Sequence, residues 1–237
     1  MKKLGLIGGV GPESTIPYYR GIVNGVKERV GKPYLPSLTI ESLSCFEVIR
    51  MSNEGNLDEL TAYLLSGIRN LAAAGADVGA LACNTGHLVF DRLQKASPIP
   101  LVSIVEATCT EAVLHGYRKV GLLGTSATME RDFFKAPFHK SGIEVVIPNT
   151  KERAYIADHI LNELEIGIVN SQTTTHILKI MERMVDEQQI EAIVLGCTEL
   201  PLLFDGCTTP VPLLDTMQIH INALIDAIID EKEPFSK

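Results

Sequence analysis

An internal repeat constrains the fold of this 237-residue chain more than any other feature of its sequence. Three pairs of segments match in the same order: 3–9 (KLGLIGG) with 119–125 (KVGLLGT), 78–84 (VGALACN) with 192–198 (AIVLGCT), and 99–102 (IPLV) with 211–214 (VPLL). One short match could arise by chance between any two α/β segments. Three ordered matches, at offsets of 116, 114 and 112 residues, favour duplication of one domain.

Apolar runs typical of strands alternate with apolar residues at helical spacing. Strands are predicted at residues 4–7 and 38–40, and two sets of residues have the spacing of helices: Ile16, Tyr19, Ile22, Val26 and Val30, and Leu57, Leu60, Leu64, Ile68 and Leu71. Five glycines are expected at helix ends, where they take left-handed turns without a Cβ clash: Gly31, Gly75, Gly116, Gly142 and Gly167. This order predicts an α/β fold with mostly parallel sheets, covered on both faces.

The repeat also predicts the domain boundaries. We expect a first α/β domain from residues 1–103 plus 210–237, and a second from residues 104–209. The last helix, at about residues 216–229, is expected to return to the first domain.

Composition narrows the class of protein. With 46% hydrophobic and 21% charged residues and no apolar run of 18, the chain is not expected to be disordered, collagen-like or membrane-spanning. A net charge of −8 argues against general attraction to nucleic acid or anionic membrane, because both select basic surfaces. The N-terminal apolar stretch is broken by Gly8, Gly9 and Pro12, too early for a signal peptide, so we expect a cytoplasmic protein.

The five cysteines form an odd set without a C-x-x-C motif, so free thiols are expected. Two of them, Cys83 and Cys197, occupy equivalent positions of the repeat, each after a strand and before a helical segment. Ligands of open α/β sheets collect at the carboxyl ends of strands. Helix-start N–H groups there favour thiolate and lower a thiol pKa from about 8.5. A lone cysteine is more often a buried apolar residue, but the repetition predicts two functional thiols.

Two thiols that approach one molecule from opposite sides suit racemisation. One thiolate would remove the proton from a carbon, and the other group, as a thiol, would return a proton to the opposite face. The developing enediolate needs hydrogen-bond donors, for which Asn84, Thr85, Thr125 and Thr198 are candidates. This chemistry needs no cofactor in principle.

The sequence resembles the aspartate/glutamate racemases, which are cofactor-independent amino-acid racemases. The resemblance covers nearly the whole chain and is carried by residues 8–15 (GGVGPEST) with 18–20 (YYR), 82–87 (ACNTGH) and 195–200 (LGCTEL). It implies two similar Rossmann-like domains related by a pseudo-twofold axis, with the active site between them. It also implies that Cys83 and Cys197 are the catalytic acid/bases, with Cys197 acting on the L enantiomer and Cys83 on the D enantiomer.

The resemblance further implies how the substrate is held. Asn84, Thr85 and Thr125 match residues that bind the α-carboxylate, and the candidates that contact the substrate elsewhere are Val10, Arg50, Ser52, Thr198 and Glu199. Glutamate racemases usually have histidine at the position of Glu199, so the aspartate-type branch fits better. We expect a small acidic amino acid as substrate, no metal or cofactor, and a homodimer.

One residue departs from the pattern of the family. Some aspartate racemases have a lysine that helps to hold the side-chain carboxylate at the position of Glu165. An acidic residue cannot make that contact, which leaves Arg50 as the forked donor. Aspartate, glutamate or several amino acids therefore remain open as substrates.

Two alternative functions remain open. A maleate isomerase-like or decarboxylase-like enzyme would use the same cysteine positions differently, and a non-catalytic binder of small acids would not need the thiols for turnover. A dinucleotide-binding loop is disfavoured because residues 9–14 lack the third glycine of G-x-G-x-x-G. Cys83 and His87 lack two further ligands at suitable spacing, which disfavours a metal site.

Overall fold

The computed structural model describes residues 1–31 and 34–229, which form parts of two compact units. Unit 1 contains Met1–Ile104 and resumes at Met217, and unit 2 is Val105–Thr216. The elements of unit 1 are β1 (Leu4–Gly8), α1 (Pro12–Val30), β2 (Leu38–Ser42), α2 (Cys45–Glu54), α3 (Leu57–Ala73), β3 (Val78–Leu81), α4 (Phe90–Ala96) and β4 (Leu101–Val102).

The helix α5 (Ile104–Leu114) begins at the first boundary and leads into unit 2. The other elements of this unit are β5 (Lys119–Gly124), α6 (Ser126–Glu130), α7 (Asp132–Lys140), β6 (Glu144–Val146), α8 (Thr150–Asn162), α9 (Ser171–Gln188), β7 (Ala192–Gly196) and β8 (Leu213–Asp215). The helix α10 (Thr216–Ile228) follows β8 and belongs to unit 1 from Met217 onward. Short 3-10 helices lie at Thr85–Val89, Leu164–Ile166 and Leu200–Leu203.

The two sheets have the same topology. Unit 1 has the strand order β2-β1-β3-β4, unit 2 has β6-β5-β7-β8, and all neighbouring strands are parallel. The first strand of each unit therefore lies between the second and third, and β3 is equivalent to β7. The repeated parallel α/β architecture predicted from the sequence is confirmed.

The second domain boundary lies later than predicted. The segment from residue 210 was expected in the first domain, yet β8 pairs with β7 through Leu213 and Ile193 and is an edge strand of the second sheet. Each sheet needs this fourth strand to complete the repeat, so the chain leaves unit 2 only after Thr216. The first boundary, near residue 104, lies at the predicted place, and residues 230–237 lie outside the described part.

The sheet of unit 1 has helices on both faces. A cluster that joins Leu6 and Ala80 of the sheet to Ile22 of α1 and Leu224 of α10 covers one face. On the other face, Leu64 and neighbouring apolar residues of α3 pack with residues from α2, α4 and the sheet. The last helix thus packs in the first unit, as expected.

The sheet of unit 2 is covered on one face by α8 and α9. Ile156, Ile177 and Met181 of these helices pack with Leu123 and Ile193 of the sheet. The same cluster includes Cys197. Burial of this apolar face therefore holds the strand end that carries the second cysteine.

The five predicted glycines lie at helix ends. Each has a positive φ, between 73° and 82°: Gly31, Gly75, Gly116, Gly142 and Gly167. Residues with a Cβ rarely adopt this conformation, so the five positions favour glycine. Among the described helices, none has the length and apolarity to cross a membrane.

Candidate active site

Cys83 lies just beyond the carboxyl end of β3 and is buried. It belongs to an apolar cluster that also contains Val10 and Met51, so the glycine-rich loop after β1 and the helix α2 lie near it. Gly9 of this loop has a φ of 75°, and a Cβ there would lie 2.4 Å from the Leu43 carbonyl oxygen. The loop can take this path only because it has no side chain at that position.

Gly86 makes room for the Cys83 thiol. A Cβ at Gly86 would lie 3.1 Å from Cys83 Sγ and 2.9 Å from Leu81 Cδ2. The chain therefore wraps closely around the sulfur atom in the 3-10 helix Thr85–Val89.

His87 holds the backbone beside Cys83. The Ile104 N–H donates to His87 Nε2 at 3.2 Å, so the ring proton is on Nδ1, which donates to the Cys83 carbonyl oxygen at 3.0 Å. Burial, and secondarily the charge of a protonated His220, lowers the pKa of His87 to about 3. A neutral ring with both nitrogens bonded to backbone positions Cys83, and it is not a metal ligand.

The predicted donors of unit 1 lie around the same segment. Asn84 is buried, and its backbone carbonyl oxygen accepts the backbone N–H of His87 at 2.9 Å. Thr85 is half-buried at the start of the 3-10 helix. Ser52 is only 3% exposed, and its hydroxyl has no hydrogen-bond partner among the described residues. Because α2 contacts this 3-10 helix, the Ser52 hydroxyl is a candidate donor to a ligand near Cys83.

Arg50 has a different environment from the one expected. Its guanidinium forms ion pairs with Glu47 at 2.9 Å, Glu54 at 2.8 Å and Glu59 at 3.0 Å. Hydrogen bonds to Glu47 and Glu59 raise the pKa of Arg50 above its ordinary value. The predicted donor to a substrate carboxylate is thus already surrounded by three carboxylates.

Cys197 follows β7, the equivalent of β3, and is buried. Its Sγ donates to Glu199 Oε2 at 3.2 Å, and Thr198 Oγ1 donates to the same oxygen at 2.8 Å. The Thr198 hydroxyl proton, predicted to face the substrate, is therefore used to hold Glu199.

Glu165 completes the surroundings of Cys197. It lies in the 3-10 helix Leu164–Ile166, is 8% exposed, and brings one carboxylate oxygen within 4.8 Å of both Cys197 Sγ and a Glu199 oxygen. Burial and the Glu199 charge raise the pKa of Glu165 to about 8. The sequence marked Glu165 as a departure, but its proximity to Cys197, across 32 residues, had no signal in the sequence.

The expected lowering of the thiol pKa is wrong for Cys197. Burial, and then the charges of Glu199 and Glu165, raise the pKa of Cys197 well above its ordinary value. Burial and the two neighbouring carboxyl groups outweigh the partial positive charge of a helix start. Cys197 is therefore a thiol at rest, with its proton directed at Glu199.

Thr125 lies at the same sheet edge as Cys197. The strands β5 and β7 pair with Gly124 opposite Gly196, and Thr125 and Cys197 are the next residues. Thr125 caps α6, since its Oγ1 accepts the Thr128 N–H at 3.4 Å. The structure thus brings the predicted residues of unit 2 together at one strand edge.

Unit 2 contains three candidate ligands for a divalent cation. Glu165, Cys197 and Glu199 are the one such trio in the part of the chain that the structure describes. The Cys197 thiol and Glu199 already form a hydrogen bond, so the donor set is satisfied in part without a cation.

Comparisons with known proteins identify the family of the chain. Residues 7–224 match the family Asp/Glu/Hydantoin racemase. The chain is similar to an aspartate racemase homologue from Pyrococcus horikoshii OT3, with 37% identity, a TM-score of 0.82, and coverage of 96% of this chain and 99% of the other. A candidate Asp/Glu racemase from Yersinia pestis is 34% identical, with a TM-score of 0.87 and coverage of 97% and 100%.

A named relative covers almost the same length. Broad specificity amino-acid racemase RacX of Bacillus subtilis (strain 168) is 25% identical over 218 residues, which are 90% of this chain and 92% of RacX. With the family match over most of its length, the chain belongs to the Asp/Glu/Hydantoin racemase family, a family of cofactor-independent amino-acid racemases.

Proposed function

We propose that this protein racemises amino acids by two-base proton transfer, with Cys83 and Cys197 acting on opposite faces of one Cα. The observation that carries the proposal is the equivalence of the two cysteines, which follow the third strand of each repeated sheet. Their surroundings support distinct roles, because Cys197 has a carboxylate partner and Cys83 is held by a neutral histidine.

For the L enantiomer, Cys197 acts as the base. As its sulfur takes the proton from Cα, the thiol proton passes to Glu199 Oε2, and the Cys83 thiol gives its proton to the opposite face. The products are the D enantiomer, a protonated Glu199 and a Cys83 thiolate, so protons and charge balance. For the D enantiomer the Cys83 thiolate is the base and the resting Cys197 thiol is the acid.

The carbanion intermediate requires stabilisation by hydrogen bonds. We assign Asn84, Thr85 and Thr125 to the α-carboxylate, and Val10 and Ser52 to contacts elsewhere on the substrate. Thr198 acts indirectly, because its hydroxyl holds the Glu199 carboxylate.

Aspartate and glutamate are the first substrates to test, because of the sequence resemblance and the aspartate racemase homologue. Each enantiomer is incubated in deuterated water without pyridoxal phosphate, and optical rotation and deuterium at Cα are followed. Loss of rotation with deuterium entry supports the proposal. If none of the amino acids tested takes up deuterium at Cα, the proposed function is wrong. A covalent adduct on one cysteine would favour the isomerase-like alternative.

A further inference from the structure

The Cys197 thiol lies among acidic groups. Two carboxyl groups, Glu165 and Glu199, lie within 4.8 Å of the sulfur, and both raise the pKa of this thiol. A cluster that holds negative charge in a buried place attracts a cation and repels a second anion.

The Glu165 side chain also has an unfilled bonding position. It is 8% exposed, and its Oε2 has no hydrogen-bond partner in the described ranges. Buried carboxyl oxygens are nearly always paired, so an exception calls for an explanation such as an absent ligand. An ammonium group is a donor that would satisfy both the hydrogen bond and the charge.

The substrate must come close to this position. A carbon that exchanges a proton with Cys197 lies roughly 3 to 3.5 Å from the sulfur in a reactive geometry. Its substituents are then within reach of a carboxyl group that is itself within 4.8 Å of that sulfur. Glu165 is therefore close enough to contact a substrate substituent that points towards it.

Arg50 was the cation expected to bind a second substrate carboxylate, but its charge is already compensated by neighbouring glutamates. Arg50 pairs with Glu47, Glu54 and Glu59, so this group of four side chains is net negative. An acidic side chain would have to displace one of these carboxylates to use Arg50 as its forked donor.

We propose that Glu165 is a specificity-determining residue that binds an ammonium group on the substrate side chain, so that the protein racemises basic amino acids in preference to aspartate and glutamate. This inference rests on the proposed racemase function and names its substrate class. It differs from the acidic substrate expected from the sequence.

The experiment measures kcat/KM for lysine, glutamine and glutamate at pH 9, above the pKa of Glu165 of about 8. The wild type is expected to prefer lysine to glutamate. Glu165→Gln, which keeps the size of the side chain, is expected to lower the lysine-to-glutamate ratio at least tenfold while glutamine changes less. Glu187→Gln, at an exposed position of α9, is the control for net charge and should leave the ratio unchanged.

A wild-type preference for glutamate, or a ratio that Glu165→Gln leaves unchanged, would overturn the inference. An equal loss of kcat/KM for all three substrates would also overturn the inference, because Glu165 would then act on the common α-amino group or on Cys197. These outcomes leave racemisation intact, whereas absence of deuterium entry with any amino acid would defeat the proposed function itself. Circular dichroism and thermal unfolding verify that the variant is folded.

Discussion

The Cys197 thiol and the Glu199 carboxylate form a hydrogen-bonded pair in which one proton can move between sulfur and oxygen. Thr198 fixes the carboxylate, and Glu165 places a second acidic group nearby. Because these charges keep the sulfur protonated, Cys197 can act as a base only if Glu199 accepts its proton. In the proposed mechanism, Glu199 is therefore a positioning residue with a proton-accepting role.

Glu199→Gln is expected to lower kcat/KM by about a hundredfold or more, the range typical of lost acid–base assistance. Glutamine can still hold the thiol by a hydrogen bond but cannot take its proton. The loss should be equal for both enantiomers, since they have equal free energies. Kinetics followed by circular dichroism measure it, and a rate within twofold of the wild type would contradict this role.

Gly86 has no side chain, and this leaves space for the Cys83 thiol. In Gly86→Ala the new Cβ would lie 3.1 Å from the sulfur and 2.9 Å from Leu81, so either the loop or the thiol must shift. We expect kcat to fall about tenfold or more, as misplacement of a reacting group predicts. Wild-type kcat together with an unchanged alkylation rate of Cys83 would show that the sulfur is not confined.

At the scale of elements, the strands and helix ends could be predicted because each depends on local patterns. The helix α1 was also predicted, but its buried side was not: Ile16 and Tyr19 are 56% and 49% exposed, whereas Tyr18 is buried. The sequence has two overlapping apolar stripes here, and close packing on α10 selects one. A Cβ at Gly25 would lie 2.3 Å from Ile225 Cδ1, so this glycine defines the contact side.

The candidate site also has a part that local sequence patterns predict and a part that they do not. Cys83 and Cys197 could be found because they directly follow strands that the repeat makes recognisable. The contact between Glu165 and Cys197 depends on how the end of α8 packs against β7, and the glutamates around Arg50 depend partly on α3. The Glu165 contact leaves no local pattern, whereas Glu47 and Glu54 lie three residues before and four residues after Arg50 and only Glu59 comes from another helix. Both arrangements change the expected charge of the site.

Two buried histidines connect the elements of unit 1, and they predict how stability depends on pH. His220 Nε2 donates to the Val102 carbonyl oxygen at 3.2 Å, so its Nδ1 accepts from the Tyr18 hydroxyl at 2.9 Å, and burial lowers the pKa of His220 to about 4. The pKa of His87 is lowered to about 3. In the unfolded chain both would titrate near 6.5.

The free energy of unfolding is therefore expected to fall as the pH is lowered from about 6.5 towards 4, because the unfolded chain binds protons that the folded unit excludes. Each histidine contributes a slope of up to ~1.4 kcal/mol per pH unit. Urea denaturation at several pH values measures this slope. His220→Gln should remove about half of it, and His176→Gln, at an exposed position, should not; equal slopes in all three proteins would contradict the assignment.

At the scale of the whole molecule, the two units have one sheet topology and two different cysteine environments. Unit 1 surrounds Cys83 with a neutral histidine, amide and hydroxyl groups, whereas unit 2 surrounds Cys197 with two carboxyl groups. Cys197 is therefore held as a thiol, which the repeat alone does not imply.

The most direct measurement is deuterium entry at Cα in variants that keep only one of the two thiols. Cys197→Ala should lose racemisation yet still exchange the Cα proton of the D enantiomer through Cys83, and Cys83→Ala should exchange only the L enantiomer. Cys109→Ala, which removes a buried thiol bonded to Ser141, should racemise like the wild type. Racemisation by either single variant at the wild-type rate would contradict the two-base account.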